Sequence, residues 1–216
     1  MDISSLYQTH EETIEKHYGA LKQIIEHSGE TPEGNCLYYH KTTNIFPELI
    51  CKRANIFFYA RDAKKVAEIG VNAGHSATLL HLSADPTATI VLFDLNEYKY
   101  TAPALEYLRT HFPQHAQVIF GDSRTTLVEW LTAHPEEKGT FDLVHVDGGH
   151  ELSCFTSDAT HALRLVRVGG ILIIDDTQID YIWDWVKQGV KNGVIEIVQH
   201  QLPTVGYSHL VVRRLK

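Results

Sequence analysis

Glu68-Ile69-Gly70-Val71-Asn72-Ala73-Gly74-His75-Ser76 is the stretch on which the fold turns. A β-rich run, Val66–Ile69, leads into it, and a helical pattern leaves it. Glycines at such a turn let the backbone bend tightly and approach a ligand closely. The helix start beyond them offers unpaired N–H groups to an anion. No Gly-Lys-Ser/Thr follows, so this is not a P-loop. The glycine spacing is Gly-x-x-x-Gly, which also differs from the dinucleotide pattern Gly-x-Gly-x-x-Gly.

Outward from this turn the pattern is regular. Further β-rich runs fall at Ile90–Phe93, Val118–Phe120, Leu143–Val146 and Ile171–Ile174, with helical spacings between them, such as Phe155/Ala159/Ala162/Leu163/Val166. Strands alternating with helices imply a parallel sheet covered on both faces. After one more helix (Ile182, Trp185, Val186, Val190), the runs Val194–Val198 and Leu210–Val212 are joined by a loop too short for a crossover helix. They are expected to pair antiparallel. The expected fold class is α/β, a Rossmann-like, mostly parallel sheet of seven strands with an antiparallel C-terminal pair.

Upstream, Thr9-His10-Glu11-Glu12 reads as a capping box, followed by Ile14, Tyr18, Leu21 and Ile25 at helical spacing and a stop at Ser28-Gly29. Gly29 to Asn35 reads as a linker. A second helix is expected from Pro47 to about Tyr59, with Ile50, Ala54 and Phe57 on its apolar face. The division expected is an N-terminal helical extension or lid over residues 1–45 and a main domain over 46–216.

The chain has 216 residues, of which 27 are Asp or Glu and 19 Lys or Arg, for a formal net charge of −8. That acidity argues against general nucleic-acid binding, which needs clustered basic residues. Apolar runs such as Ile171–Ile174 are far shorter than the ~18 residues of a membrane span. The N-terminus lacks the regions of a signal peptide. Cys36, Cys51 and Cys154 are odd in number and widely spaced, which points to a reducing, cytoplasmic setting without a disulfide framework or zinc ribbon. Some of the acidity has an address. Glu68, Asp94, Asp122, Asp147 and the pair Asp175-Asp176 stand at or near the ends of the five parallel strands, the edge where open α/β sheets bind ligands.

With Phe93-Asp94, Gly121-Asp122-Ser123, His145-Val146-Asp147-Gly148-Gly149-His150 and Ile173-Ile174-Asp175-Asp176, the chain resembles a class I S-adenosylmethionine-dependent methyltransferase from about Ala60 onward. Within that class it looks most like the metal-dependent, small-molecule O-methyltransferase branch. The resemblance implies that Glu68 and the turn Gly70, Asn72, Gly74, His75 and Ser76 hold the methionine portion of the cofactor. Asp94 would bind the ribose, with Asp122 and Ser123 beside the adenine, and Asp147 is a further implied cofactor-binding residue. It implies a divalent cation, Mg²⁺ or similar, on Asp147, Asp175 and Asp176, where it would orient a diol and acidify a hydroxyl. Catechol-type members carry an amide at the position of Asp176, so the ligand set is closer to that of sugar-modifying relatives.

His150, three residues after Asp147, is the candidate general base, because an imidazole titrates near neutrality; Asp147 completes the catalytic pair. His145, inside a strand, reads as a core residue. The implied reaction is O-methylation of a small hydroxylated molecule. A homo-oligomer is possible, because the amphipathic N-terminal helix needs a partner surface. The rival readings are a metal-independent methyltransferase acting on nitrogen or another acceptor, a nicotinamide-dependent oxidoreductase, and a catalytically silent cofactor-binding protein.

Overall fold

A computed structural model describes residues 2–206 and 208–216. The sheet has seven strands, β1 (Lys65–Ile69), β2 (Thr89–Asp94), β3 (His115–Phe120), β4 (Phe141–Val146), β5 (Val166–Ile174), β6 (Ile195–Ile197) and β7 (Leu210–Arg214), in spatial order β3-β2-β1-β4-β5-β7-β6. The first five run parallel and β7 is antiparallel to both its neighbours. The helices are α1 (Ile3–Gln8), α2 (Glu11–Ser28), α3 (Ile50–Ala60), α4 (His75–Ser83), α5 (Thr101–His111), α6 (Ser123–Ala133), α7 (Leu152–Leu165) and α8 (Asp180–Lys191).

Side chains alternate across a strand, and here the alternation sorts two cores. Val66, Ile90, Leu92, Leu143, Ile173 and Val211 pack with the apolar faces of α1 to α5. Their neighbours Ala67, Val91, Phe93, Val144, Leu172 and Val212 pack with α6, α7 and α8. The N-terminal helices therefore bury Ile3, Leu6, Ile14, Tyr18, Leu21 and Ile25 on the first of these cores.

Three expectations need correction. The capping box is absent: Thr9 closes α1, its hydroxyl donating to the Leu6 carbonyl, and His10 precedes α2 without a side-chain cap. Gly29 does end α2, in the left-handed conformation. The second helix is a 3₁₀ turn, Pro47–Leu49, followed by α3, and Ile50 faces outward while Lys52, Arg53 and Asn55 are buried. Strands β3 and β5 begin earlier than their apolar runs. β3 is a half-exposed edge strand, and β5 crosses a register shift opposite Phe141 and Leu143 before its apolar segment.

Candidate active site

The site follows from register. Ile69 stands level with Phe93 on one side and Val146 on the other, and Val146 is level with Ile174. Gly70, Asp94, Asp147 and Asp175 therefore leave their strands along one edge. The ladder continues one step past the strands. Gly70 N–H donates to the Phe93 carbonyl (2.8 Å), Asp147 N–H to Ile69 (2.8 Å), Asp175 N–H to Val146 (3.0 Å) and Gly121 N–H to Asp94 (2.9 Å). Strand order reverses between β1 and β4, the switch point at which such sheets open a crevice. Gly70 is the tightest point there: at φ +85°, a Cβ on it would lie 2.0 Å from the Asp147 carbonyl oxygen.

The crevice is a cleft of about 840 Å³. Gly70, Asn72, Ser76 and Asp94 line its middle, Asp122 and Ser123 one end, and Asp147, His150, Asp175 and Asp176 the other. Asp94 Oδ2 accepts from the N–H groups of Val71 and Asn72, both at 2.8 Å, and Oδ1 from Asn96 at 2.7 Å. It thus braces the glycine turn while facing the cleft. Asp122 caps α6, accepting from Arg124 N–H, and its carboxylate meets the Arg124 guanidinium in three further contacts of 2.6, 2.9 and 3.1 Å. Those side-chain bonds hold its pKa below the ordinary value.

Glu68, Gly74 and His75 lie outside the lining. Glu68 points to the α1–α5 side of the sheet, fully buried, its Oε1 2.8 Å from His145 Nδ1 on the adjacent strand. Its place in the strand rather than after it decides this, because residue 68 shares a face with Val66. Gly74 caps α4 beneath the turn and packs on Leu108. His75 is enclosed by the rings of Tyr18 and Tyr38, and burial pushes its pKa down to about 3. It is a neutral core residue behind the turn.

At the other end, His150 Nε2 lies 2.8 Å from Asp176 Oδ2, with the ring 59% exposed and the carboxylate 7%. The Asp176 bond raises the His150 pKa, against partial burial, with Asp175 and Glu33 adding to it. Tyr181 steadies the loop by donating its hydroxyl to the His150 carbonyl. Asp147 lies against Asp175. Loss of hydration, and then the Asp175 charge, hold the Asp147 carboxyl well above the usual range. Asp175 is held below it, despite burial, by the Lys52 ammonium and a hydrogen bond from Asp147.

The expected metal trio does not converge. Among the described residues, Asp147 groups with Asp175 and His145 on one side and with Asp176 and His150 on the other. Lys52 Nζ, from α3, is already paired with Asp175 Oδ2, both side chains being almost fully buried. The three acids are thus divided between two groups, each of which includes a histidine and could hold a metal ion, and Lys52 stands against the first of them.

The family described as a methyltransferase domain matches residues 67–177, just over half of the chain. The chain belongs to that family. The flavonoid 3',5'-methyltransferase of Vitis vinifera is 28% identical over 170 residues, which cover 77% of this chain and 61% of that protein. The chain thus spans about three-fifths of the length of that curated relative. An O-methyltransferase from Bacillus cereus, solved in complex with SAH, superposes with a TM-score of 0.65 at 17% identity, covering 92% of this chain and 91% of that one. A methyltransferase from Geobacter sulfurreducens gives 0.59 at 12%, over 93% and 89%. At these identities the two structures show the shared fold.

In this methyltransferase domain, sequence reasoning missed Lys52 and Glu33. Both line the cleft, and Glu33 accepts from the Tyr98 hydroxyl (2.8 Å) and contacts His40 (2.6 Å). The signal for Lys52 was the run Lys52-Arg53-Ala54-Asn55 inside an apolar helix. Three polar side chains within about one turn of a buried helix need partners, and those partners had to come from elsewhere in the chain.

Proposed function

We propose that this methyltransferase transfers the methyl group of S-adenosylmethionine to a hydroxyl of a small molecule. The observation that carries this reading is a single cleft running from the glycine turn to His150, of a size that suits small-molecule sites. S-adenosylmethionine, when bound, supplies an activated methyl on a cationic sulfur. The chain's carboxylates favour that charge. Gly70, Asn72 and Ser76 are assigned to the methionine end, Asp94 to the ribose hydroxyls, and Asp122 and Ser123 to the adenine end. Glu68, Gly74 and His75 serve from behind, by fixing the turn.

His150 is assigned the acceptor's proton. With Nε2–H given to Asp176, Nδ1 keeps its lone pair, which takes the proton as the acceptor oxygen attacks. Asp147, lining the cleft beside His150, is assigned to orient the acceptor. Alignment within the cleft supplies much of the remaining rate. Metal assistance enters no step of this scheme, in which Lys52 already pairs with Asp175. Residues 1–45 are assigned as the cover of the acceptor end, since Glu33, Gly34 and Asn35 line the cleft there.

The test is methyl transfer from isotopically labelled S-adenosylmethionine to a panel of hydroxylated small molecules. Flavonoids belong in the panel because of the Vitis vinifera relative. Methyl ethers are the expected products. Lack of S-adenosylmethionine binding, or products methylated only on nitrogen, would refute the reading.

A further inference from the structure

Lys52 is the one basic side chain buried at the acceptor end of the cleft among the described residues, at 3% exposure. It comes from α3, outside the strand-end motifs, and reaches Asp175 across the interface between that helix and the sheet edge. A buried ammonium persists only where carboxylates meet it, and this one faces Asp175 directly and Asp147 beyond it. On the opposite side, Asp176 is engaged by His150 through Oδ2 and by Gln178 through Oδ1, both at 2.8 Å. Two of the three acids thus have partners within the chain, and the cation against Asp175 is covalently part of the protein.

We infer that Lys52 is the resident cation of this site. Its ammonium stands against the Asp147–Asp175 pair in place of a divalent metal, so that cofactor and acceptor bind and react without one. The assignment rests on the methyltransferase reading for the identity of the cleft's ligands. It goes beyond that reading in naming the group that neutralises the acidic end. A divalent ion entering between Asp147 and Asp175 would meet a like charge at contact range, or would have to displace a side chain that is almost fully buried. Either route opposes binding, because unlike-charge partners already in place in a poorly hydrated pocket are costly to separate. Lys52 is therefore a positioning residue. It holds the orientation and the charge of the two carboxylates that face the acceptor.

The test is Mn²⁺ titration of the EDTA-dialysed protein, followed by the spin-resonance signal of free Mn²⁺, with and without S-adenosylhomocysteine. The wild-type chain is expected to show no stoichiometric Mn²⁺ site. Lys52→Met removes the ammonium and is expected to bind Mn²⁺ at least about tenfold more tightly, whereas Lys52→Arg, which keeps the charge, is expected to stay metal-free. One Mn²⁺ per wild-type chain, lost in Asp175→Asn, would overturn the inference. So would a folded Lys52→Met variant that binds no better than wild type. If Lys52→Met fails to fold, the wild-type and Lys52→Arg titrations decide alone. S-adenosylhomocysteine binding, read by calorimetry in the same samples, separates the two claims. Its failure removes the methyltransferase reading and leaves the Mn²⁺ result to judge Lys52.

Discussion

At 2.8 Å from Asp176, the His150 ring has one nitrogen committed and one available, and its chemistry depends on pH in a definite sense. The Asp176 bond stabilises the imidazolium and raises its pKa, with Asp175 and Glu33 pushing the same way and partial burial opposing them. A base works only when deprotonated. Turnover is therefore expected to rise with pH through a midpoint above the ordinary imidazole value of about 6.5. Asp176→Asn removes the largest cause and should move that midpoint down, read from the acid limb of the pH–rate profile. His150→Ala should lower turnover by about 10²–10⁴-fold while leaving S-adenosylhomocysteine affinity nearly unchanged, because the ring is on the acceptor side. A matching loss of affinity would place His150 with the cofactor instead. The partnership with Asp176 was invisible from residue types alone. His150 was singled out by its distance from Asp147, yet its partner comes from the end of the next strand.

Strand ends are the elements that make the site, and they were the most legible part of the chain. Carboxylates recurring where apolar runs stop gave the edge directly, since parallel strands align their C-termini. What the pattern could not resolve was phase. Glu68 lies one residue before the end of β1 and so falls on the core face beside His145, whereas Asp94, Asp147 and Asp175 fall at the cleft. Lys52, on α3, and Glu33, in the loop after α2, were legible only as oddities, because Asp175 and Tyr98, with which they pair, lie far along the chain. The Thr9 capping box failed for a local reason: its hydroxyl was already used by the preceding short helix. At the edge itself, Gly70 admits no side chain. Gly70→Ala combines a left-handed backbone with a Cβ 2.0 Å from the Asp147 carbonyl oxygen. It is expected to destabilise the fold by about 3 kcal/mol or more, measured as a lower urea midpoint. An unchanged midpoint would mean that the β1 and β4 ends do not sit as close as described.

For the molecule as a whole, the ligand cleft lies across the sheet's switch point, so both halves of the fold contribute its walls. A ligand that fills it binds the folded chain alone and must stabilise it. S-adenosylhomocysteine at a hundredfold excess over its dissociation constant should add about 2.7 kcal/mol, seen as a rise in melting temperature, while NAD should add nothing. The reverse pattern would favour an oxidoreductase. The net charge of −8 is also distributed unevenly in role. Asp122 answers Arg124, Asp175 answers Lys52 and Asp176 answers His150, so part of the acidity that composition reports is matched inside the site. No helix among the described residues is long and apolar enough to cross a membrane.

The placing of β7 between β5 and β6 has a consequence for how the chain is made. Synthesis is vectorial, at about 5–20 residues per second, so β6 is made before the strand that is its ladder partner among the described residues. Until Leu210–Arg214 arrives, the apolar edge Ile171–Ile174 of β5 also stands open on that side. An unpaired apolar edge is a template for joining other chains. A chain cut short in the loop after β6 would leave both gaps open and be the species most prone to aggregate, because a single short strand closes them at once.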